Sequence, residues 1–124
     1  MAYDLEYRDA GFYLTHKGDV SIGEINEVNG KIHESEHFDD HKFQLINLLE
    51  ANFSEVNESH GRMPGSTDAV ASIRNEDVRV ALVTKDDATI RFCEEYVETA
   101  KSMGSTWDFK IFPDVDAAEE WVKG

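Results

Sequence analysis

VRVALVT, residues 78–84, is a nearly continuous apolar run. Runs of this kind are typical of a strand that helices cover on both faces. FQLINLL, residues 43–49, has the same character. The segment from 86 to 102 follows the first run and places its apolar residues along one side of a helix. Buried strands that alternate with helices pair in parallel through right-handed crossovers, so the sequence predicts an α/β fold.

The two ends of the chain add three more strands. YDLEYR (3–8) and FYLTHKG (12–18) alternate apolar and polar residues, which indicates half-buried strands. Asp9-Ala10-Gly11 between them predicts a tight turn and therefore an antiparallel hairpin. WDFKIF (107–112) is the last predicted strand. The expected sheet has five strands, is mostly parallel and has an antiparallel first strand.

Helix start signals separate the strands. Ser21 and Glu24 have the spacing of a capping box, which predicts a helix over about 21–35. A second helix is expected to begin near Ser66 or Thr67, and a short final helix follows Asp114. In the second helix the residues expected to face inward are Ala69, Val70 and Ile73. With about four helices, the predicted order is β-β-α-β-α-β-α-β-α, in one domain over 1–124.

Composition narrows the functional classes. The chain has 124 residues and a net charge of −14. Such a surface repels phosphate backbones and anionic headgroups, which disfavours nucleic-acid binding and peripheral membrane binding. No stretch approaches the roughly 18 apolar residues of a membrane span, so we expect a cytoplasmic protein. The single cysteine, Cys93, falls in the apolar stripe of the helix at 86–102 and is expected to be buried and inert.

Four segments carry a resemblance to a known family: GDVSIGEINEV (18–28), FQLINLL (43–49), VRVALVTKDDATIRF (78–92) and FKIFPDVDAAEEWV (109–122). In this pattern the chain resembles the SpoIIAA-like branch of the STAS fold. The group consists of small stand-alone bacterial proteins related in fold to anti-sigma-factor antagonists and to CRAL-TRIO lipid-binding domains. The resemblance covers nearly the whole chain and implies a fold more than a function.

The resemblance also implies a serine at the head of the second helix that is phosphorylated to switch partner binding. The family's Asp-Ser motif is absent from the corresponding stretch, NFSEVNESHGRMPGSTDA (52–69). Ser59 matches by its distance from the preceding strand, whereas Ser66 matches by its position at a helix start. Both remain candidates for phosphorylation.

A long irregular stretch at 51–65 is the first candidate binding site, because ligands of open α/β sheets bind beyond the carboxyl ends of parallel strands. Ser66, Thr67 and Asp68 form a second candidate, since a helix N-terminus favours an anion, although Asp68 itself already occupies that field. A mobile surface loop and ordinary helix capping are the alternative interpretations. The candidate binding residues are Phe53, Asn57, Ser59, His60, Arg62, Ser66 and Thr67.

Signals for catalysis are weak. His33, His37 and His41 recur every four residues, and on one continuous helix they could bind zinc or nickel. Phe38 and its neighbours read as a link between elements, however, so the spacing is expected to span a helix end and a loop. The sequence has no nucleophile elbow, P-loop, dinucleotide fingerprint or paired cysteines. We predict no catalytic residue and no cofactor.

Three functional hypotheses follow. The first is a non-catalytic regulatory or protein-interaction module of STAS type that binds a partner through the second helix and the preceding loop. The second is a carrier of a small apolar or amphipathic ligand held between helices and sheet, with Gly30 loosening the first helix as a lid. The third is a metal-dependent enzyme using His33, His37 and His41. Whether the chain forms a homodimer is left open.

Overall fold

The computed structural model describes residues 3–124, with the exception of the side chain at position 58. Within that range the strands and helices alternate in the predicted order. A short 3-10 helix, Glu58–Gly61, precedes the second α-helix. The elements are β1 (Tyr3–Arg8), β2 (Gly11–Asp19), α1 (Ile22–Glu34), β3 (Phe43–Asn52), α2 (Arg62–Ala71), β4 (Arg79–Val83), α3 (Asp87–Ser102), β5 (Asp108–Phe112) and α4 (Val115–Lys123).

The five strands form one sheet in the order β1-β2-β3-β4-β5. β1 pairs antiparallel with β2, and every later neighbour pair is parallel. The register aligns one apolar row across the whole sheet, formed by Leu5, Leu14, Ile46, Leu82 and Ile111. The predicted α/β fold, with its antiparallel first strand, is therefore confirmed.

Helices cover the two faces of the sheet unequally. Because the parallel strands follow each other in one direction, right-handed crossovers place α1, α2 and α3 on the same face. The larger core lies on that face and includes Phe12, Ile32, Phe92 and Trp107. α4 covers the opposite face, where Ala118 and Val122 join a smaller cluster from β3, β4 and β5. None of the helices in residues 3–124 is long and apolar enough to cross a membrane.

Side-chain caps start three of the four helices. Ser21 accepts a hydrogen bond from the backbone N–H of Glu24 at 3.2 Å, so half of the predicted capping box forms. Asp86 caps α3 and Asp114 caps α4 in the same way. These three caps follow β2, β4 and β5, so they mark the carboxyl edge of the parallel sheet.

The predicted start of α2 near Ser66 or Thr67 is wrong, because the helix begins four residues earlier, at Arg62. Pro64 and Gly65 suggest a loop in the sequence, but both lie in the first turn or just after it. Proline is tolerated in the first turn because its missing N–H would have no partner inside the helix. Ser66 and Thr67 are interior residues of α2, so the predicted anion site at a helix start does not form there.

Candidate functional site

The inner side of α2 is made of small residues. A Cβ atom added at Gly61 would lie 2.7 Å from the carbonyl oxygen of Phe92, and one added at Gly65 would lie 2.6 Å from that of Tyr96. Distances this short do not occur for real side chains, so both positions require glycine. α2 therefore contacts the α3 backbone directly, without large apolar side chains in between.

The outer side of α2 carries the large apolar residues instead. Met63, Val70 and Ile73 are 54%, 64% and 78% exposed. Met63 and Val70 lie seven residues apart on one side of the helix, and Ile73 follows in the turn after it. The prediction that Val70 and Ile73 face inward is wrong, because Gly61 and Gly65 bring the opposite side of the helix against α3. We call Met63, Val70 and Ile73 the α2 stripe.

The two helices on either side of α2 carry exposed acidic side chains. α2 lies between α1, whose Asn26 contacts the sulfur of Met63, and α3. Glu27 and Glu34 of α1 and Glu94 and Glu98 of α3 are exposed. Two arginines of the same region are already paired: Arg62 bonds Glu95, and Arg74 lies 2.9 Å from Asp39. The exposed sides of these two helices are therefore rich in carboxylates, in line with the net charge of the chain.

The residues predicted between β3 and α2 divide into one core residue and four exposed ones. Phe53 is buried and packs edge-on against Phe92, with ring centroids 5.0 Å apart. Asn57 caps the 3-10 helix by accepting a hydrogen bond from the backbone N–H of Ser59 at 2.9 Å. The stretch predicted to be irregular is thus mostly ordered structure. The exposed residues are Asn57, Ser59, His60 and Arg62.

Ser66 and Thr67 use their hydroxyl groups within α2. Ser66 donates to the carbonyl oxygen of Arg62 at 2.8 Å, and Thr67 donates to that of Met63 at 3.0 Å. Such bonds to the preceding turn are common for serine and threonine inside helices. Ser66 is half-buried and Thr67 is exposed. Of the two candidate phosphorylation sites, Ser59 lies on the exposed 3-10 helix and Ser66 within α2.

A second feature is a cavity of about 60 Å³ between the helices and the sheet. Its walls come from α1, α3 and the start of α2, and its floor comes from β2, β3 and β4. Most of the lining is apolar, and Phe53 forms part of it. Further apolar lining residues are Leu14, Ile25, Val28, Ile46, Leu48, Leu82 and Phe92.

A hydrogen-bonded pair, His16 of β2 and Glu24 of α1, joins α1 to the sheet beside this cavity. Nδ1 of His16 lies 2.6 Å from Oε2 of Glu24, and the two side chains are only 3% and 9% exposed. Burial lowers the pKa of His16, an effect that the hydrogen bond and charge of Glu24 oppose. The ring is therefore neutral at pH 7, and its Nδ1–H donates to the carboxylate. The sequence placed His16 beside Phe12 and Leu14 but gave no sign of this pairing.

A second polar junction joins α1, α2 and α3. Asp68 is 1% exposed and accepts hydrogen bonds from the hydroxyl of Tyr96 and, at 3.0 Å, from Nε2 of His33. Burial and the neighbouring Asp68 raise the pKa of Tyr96 well above its ordinary value. The phenol therefore stays protonated and serves as a donor.

The three histidines of the predicted metal group have separate partners. His33 bonds Asp68, and His37 stacks on the ring of Tyr7 at 4.0 Å. The Nδ1–H of buried His41 donates to the carbonyl oxygen of Phe38 at 2.6 Å. α1 ends at Glu34, so the interval of four does not run along one helix. Among the described side chains no cluster of three histidine, cysteine, aspartate or glutamate residues could hold a metal ion.

Cys93 lies in the wall of the cavity and is buried, as predicted. Burial, with a smaller contribution from Glu94, raises the pKa of its thiol to about 12. The thiolate, which is the nucleophilic form, is therefore essentially absent at neutral pH.

No protein-family model matches the chain, and no curated protein matches it. The functional conclusion therefore rests on the α2 stripe, the cavity and the side chains around them.

Proposed function

We propose that the chain is a non-catalytic regulatory or protein-interaction module, of the type that its resemblance to STAS domains implies, and that it binds its partner through the α2 stripe. The observation that carries the proposal is that α2 has its large apolar side chains on the solvent side. Its inner side is small residues and a buried carboxylate, whereas its outer side carries Met63, Val70 and Ile73. Folding does not bury these three side chains, and grouped exposed apolar residues mark interaction surfaces.

The chemistry of the partner follows from the apolar stripe and from the charge of the chain. The net charge of −14 favours a partner with lysine or arginine, while the stripe favours apolar side chains. The expected partner is therefore a segment, such as an amphipathic helix, with an apolar side and basic flanks. A second copy of the chain is a poor fit, because each copy carries a charge of −14.

A pair of synthetic peptides tests this partner chemistry. One is an amphipathic helix with leucines on one side and lysines flanking them; the other has glutamates in place of the lysines. We expect the lysine peptide alone to bind, with backbone amide shifts in NMR spectra concentrated on α2. Ile73→Glu should weaken binding at least tenfold, since burying such a side chain contributes about 1.5–3 kcal/mol.

The matched control is Leu49→Glu, because Leu49 is also an exposed apolar residue, 42% exposed, but lies on β3. It should leave the affinity unchanged. Equal binding by the Ile73→Glu variant, equal affinity for the glutamate peptide, or no binding of either peptide would contradict the proposal. If sedimentation experiments show self-association and Ile73→Glu abolishes it, the partner is a second copy of the chain and not a basic protein.

The cavity favours a second function, the binding of a small apolar or amphipathic molecule as a carrier. Its support is the apolar lining together with buried His16 in the floor. Native mass spectrometry of gently purified protein should then detect a stoichiometric added mass. Protein that carries no such mass, and that takes none up when offered small apolar compounds, would remove this second function.

A further inference from the structure

The geometry points to His16 as a hydrogen-bond acceptor that fixes a small alcohol in the cavity, with the hydroxyl on Nε2 and the apolar body against α1 and the sheet. This inference rests on the second function proposed above and names its ligand class.

Of the polar side chains that line the cavity, Asn29 is only half-buried, so water can reach its amide, whereas the others are buried. Gln44 donates to Nε2 of His41 at 3.2 Å, and Tyr96 donates to Asp68. Cys93 is a protonated thiol and only a weak hydrogen-bonding group. His16 has Nδ1 bonded to Glu24, and the described side chains show no partner for its Nε2.

The hydrogen bond to Glu24 determines whether Nε2 is a donor or an acceptor. A carboxylate oxygen only accepts, so the proton of the neutral ring lies on Nδ1 and the lone pair lies on Nε2. A ligand must therefore bring the donor. A hydroxyl group fits, whereas a ligand carboxylate would place a second negative charge across the ring from the buried Glu24.

The size of the cavity sets the size of the ligand. A volume of about 60 Å³ compares with roughly 10–15 Å³ for one water molecule, which leaves room for about four to six non-hydrogen atoms. Larger lipids do not fit unless α1 moves outward. The ligand class is thus a short alcohol with a branched or cyclic apolar body.

Two probes of similar shape test the inference on the unmodified protein. Cyclopentanol has the donor, and its isomer tetrahydropyran, a cyclic ether, lacks it. We expect cyclopentanol to shift the Nε2 resonance of His16 saturably in long-range ¹H–¹⁵N spectra, and to bind roughly tenfold more tightly than the ether. Glu24→Gln keeps an acceptor for Nδ1–H and should retain the preference, whereas His16→Phe should remove it.

The outcomes distinguish hydrogen bonding by His16 from simple apolar binding in the cavity. If both probes bind equally and Nε2 does not respond, the cavity binds apolar compounds but His16 is not the anchor. If neither probe binds, the anchor and the carrier function both fail. Because the unmodified protein decides between these results, a variant that does not fold leaves the test intact.

Discussion

α1 and α2 lie side by side over the same face of the sheet but are held in different ways. α2 meets the backbone of α3 through Gly61 and Gly65, with no space for a side chain. α1 lies over the cavity and is tied near its ends by two polar contacts, one between Glu24 and His16 and one between His33 and Asp68. Close packing makes α2 a fixed platform, while α1 packs its side chains on the sheet beside the cavity and is the less tightly held of the two helices.

Gly65→Ala should have the largest effect on this arrangement. The added Cβ collides with the carbonyl oxygen of Tyr96, and backbone cannot yield as a flexible side chain can. We expect the free energy of unfolding to fall by about 3 kcal/mol, as measured by chemical denaturation. A loss below about 0.5 kcal/mol would show that α2 is not fixed by this contact.

Asp68→Asn should weaken the junction between α1, α2 and α3. Asparagine has only one acceptor oxygen, so either His33 or Tyr96 loses its partner. The expected loss is about 1–2 kcal/mol, with faster amide hydrogen exchange in α1 than in α2. Asp39→Asn is the matched control, because the pair of Asp39 with Arg74 is exposed and contributes little. Equal changes in exchange for the two helices would contradict the comparison.

Lowering the pH should loosen α1 through His16. Burial lowers the pKa of this histidine in the folded protein below the ordinary value of 6.5 that applies to the unfolded chain. The unfolded state therefore binds more protons as the pH falls, so stability is fully present above pH 6.5 and is lost below it. His41 contributes in the same direction, since burial lowers its pKa too.

Chemical denaturation at several pH values between 7.5 and 5 tests whether stability falls as the pH is lowered. His16→Gln should flatten the pH dependence, whereas changing the exposed His60 to glutamine should leave it as it is. A steeper dependence after His16→Gln would mean that the ring is charged in the folded protein.

Gly30→Ala should have the smallest effect and the opposite sign. Apart from the neighbouring residues and backbone of α1 itself, no atom lies within 4 Å of a Cβ placed at this position. Replacing a helical glycine without a clash stabilises by about 0.4–1 kcal/mol. Thermal unfolding should show a small rise in the midpoint. A fall comparable to that of Gly65→Ala would remove the distinction between the two helices.

The sequence predicted the fold because its signals are local. Alternation marked β1 and β2, continuous apolar runs marked β3 and β4, and Ser21 and Asp114 marked helix starts. α2 was misplaced since Pro64 and Gly65 are breakers in most contexts. Only the approach of α3 explains why they occur inside a helix.

The candidate site was less predictable, because its key contacts join distant elements. Val70 and Ile73 look like core residues until the packing of Gly61 and Gly65 sets the rotation of α2. Glu24 was assigned to a capping box, although its carboxylate bonds His16. Only the return of α1 over β2 brings that pair together, and no local pattern indicates it.

Site-specific photocrosslinking tests the central claim most directly. A benzophenone amino acid replaces Ile73 in one protein and Leu49 in another, and each is irradiated in the lysate of its source cells. We predict a crosslinked partner from position 73 alone, and a crosslinked peptide that combines apolar residues with lysine or arginine. Crosslinking from position 49 alone, or equally from both positions, would contradict α2 as the binding surface.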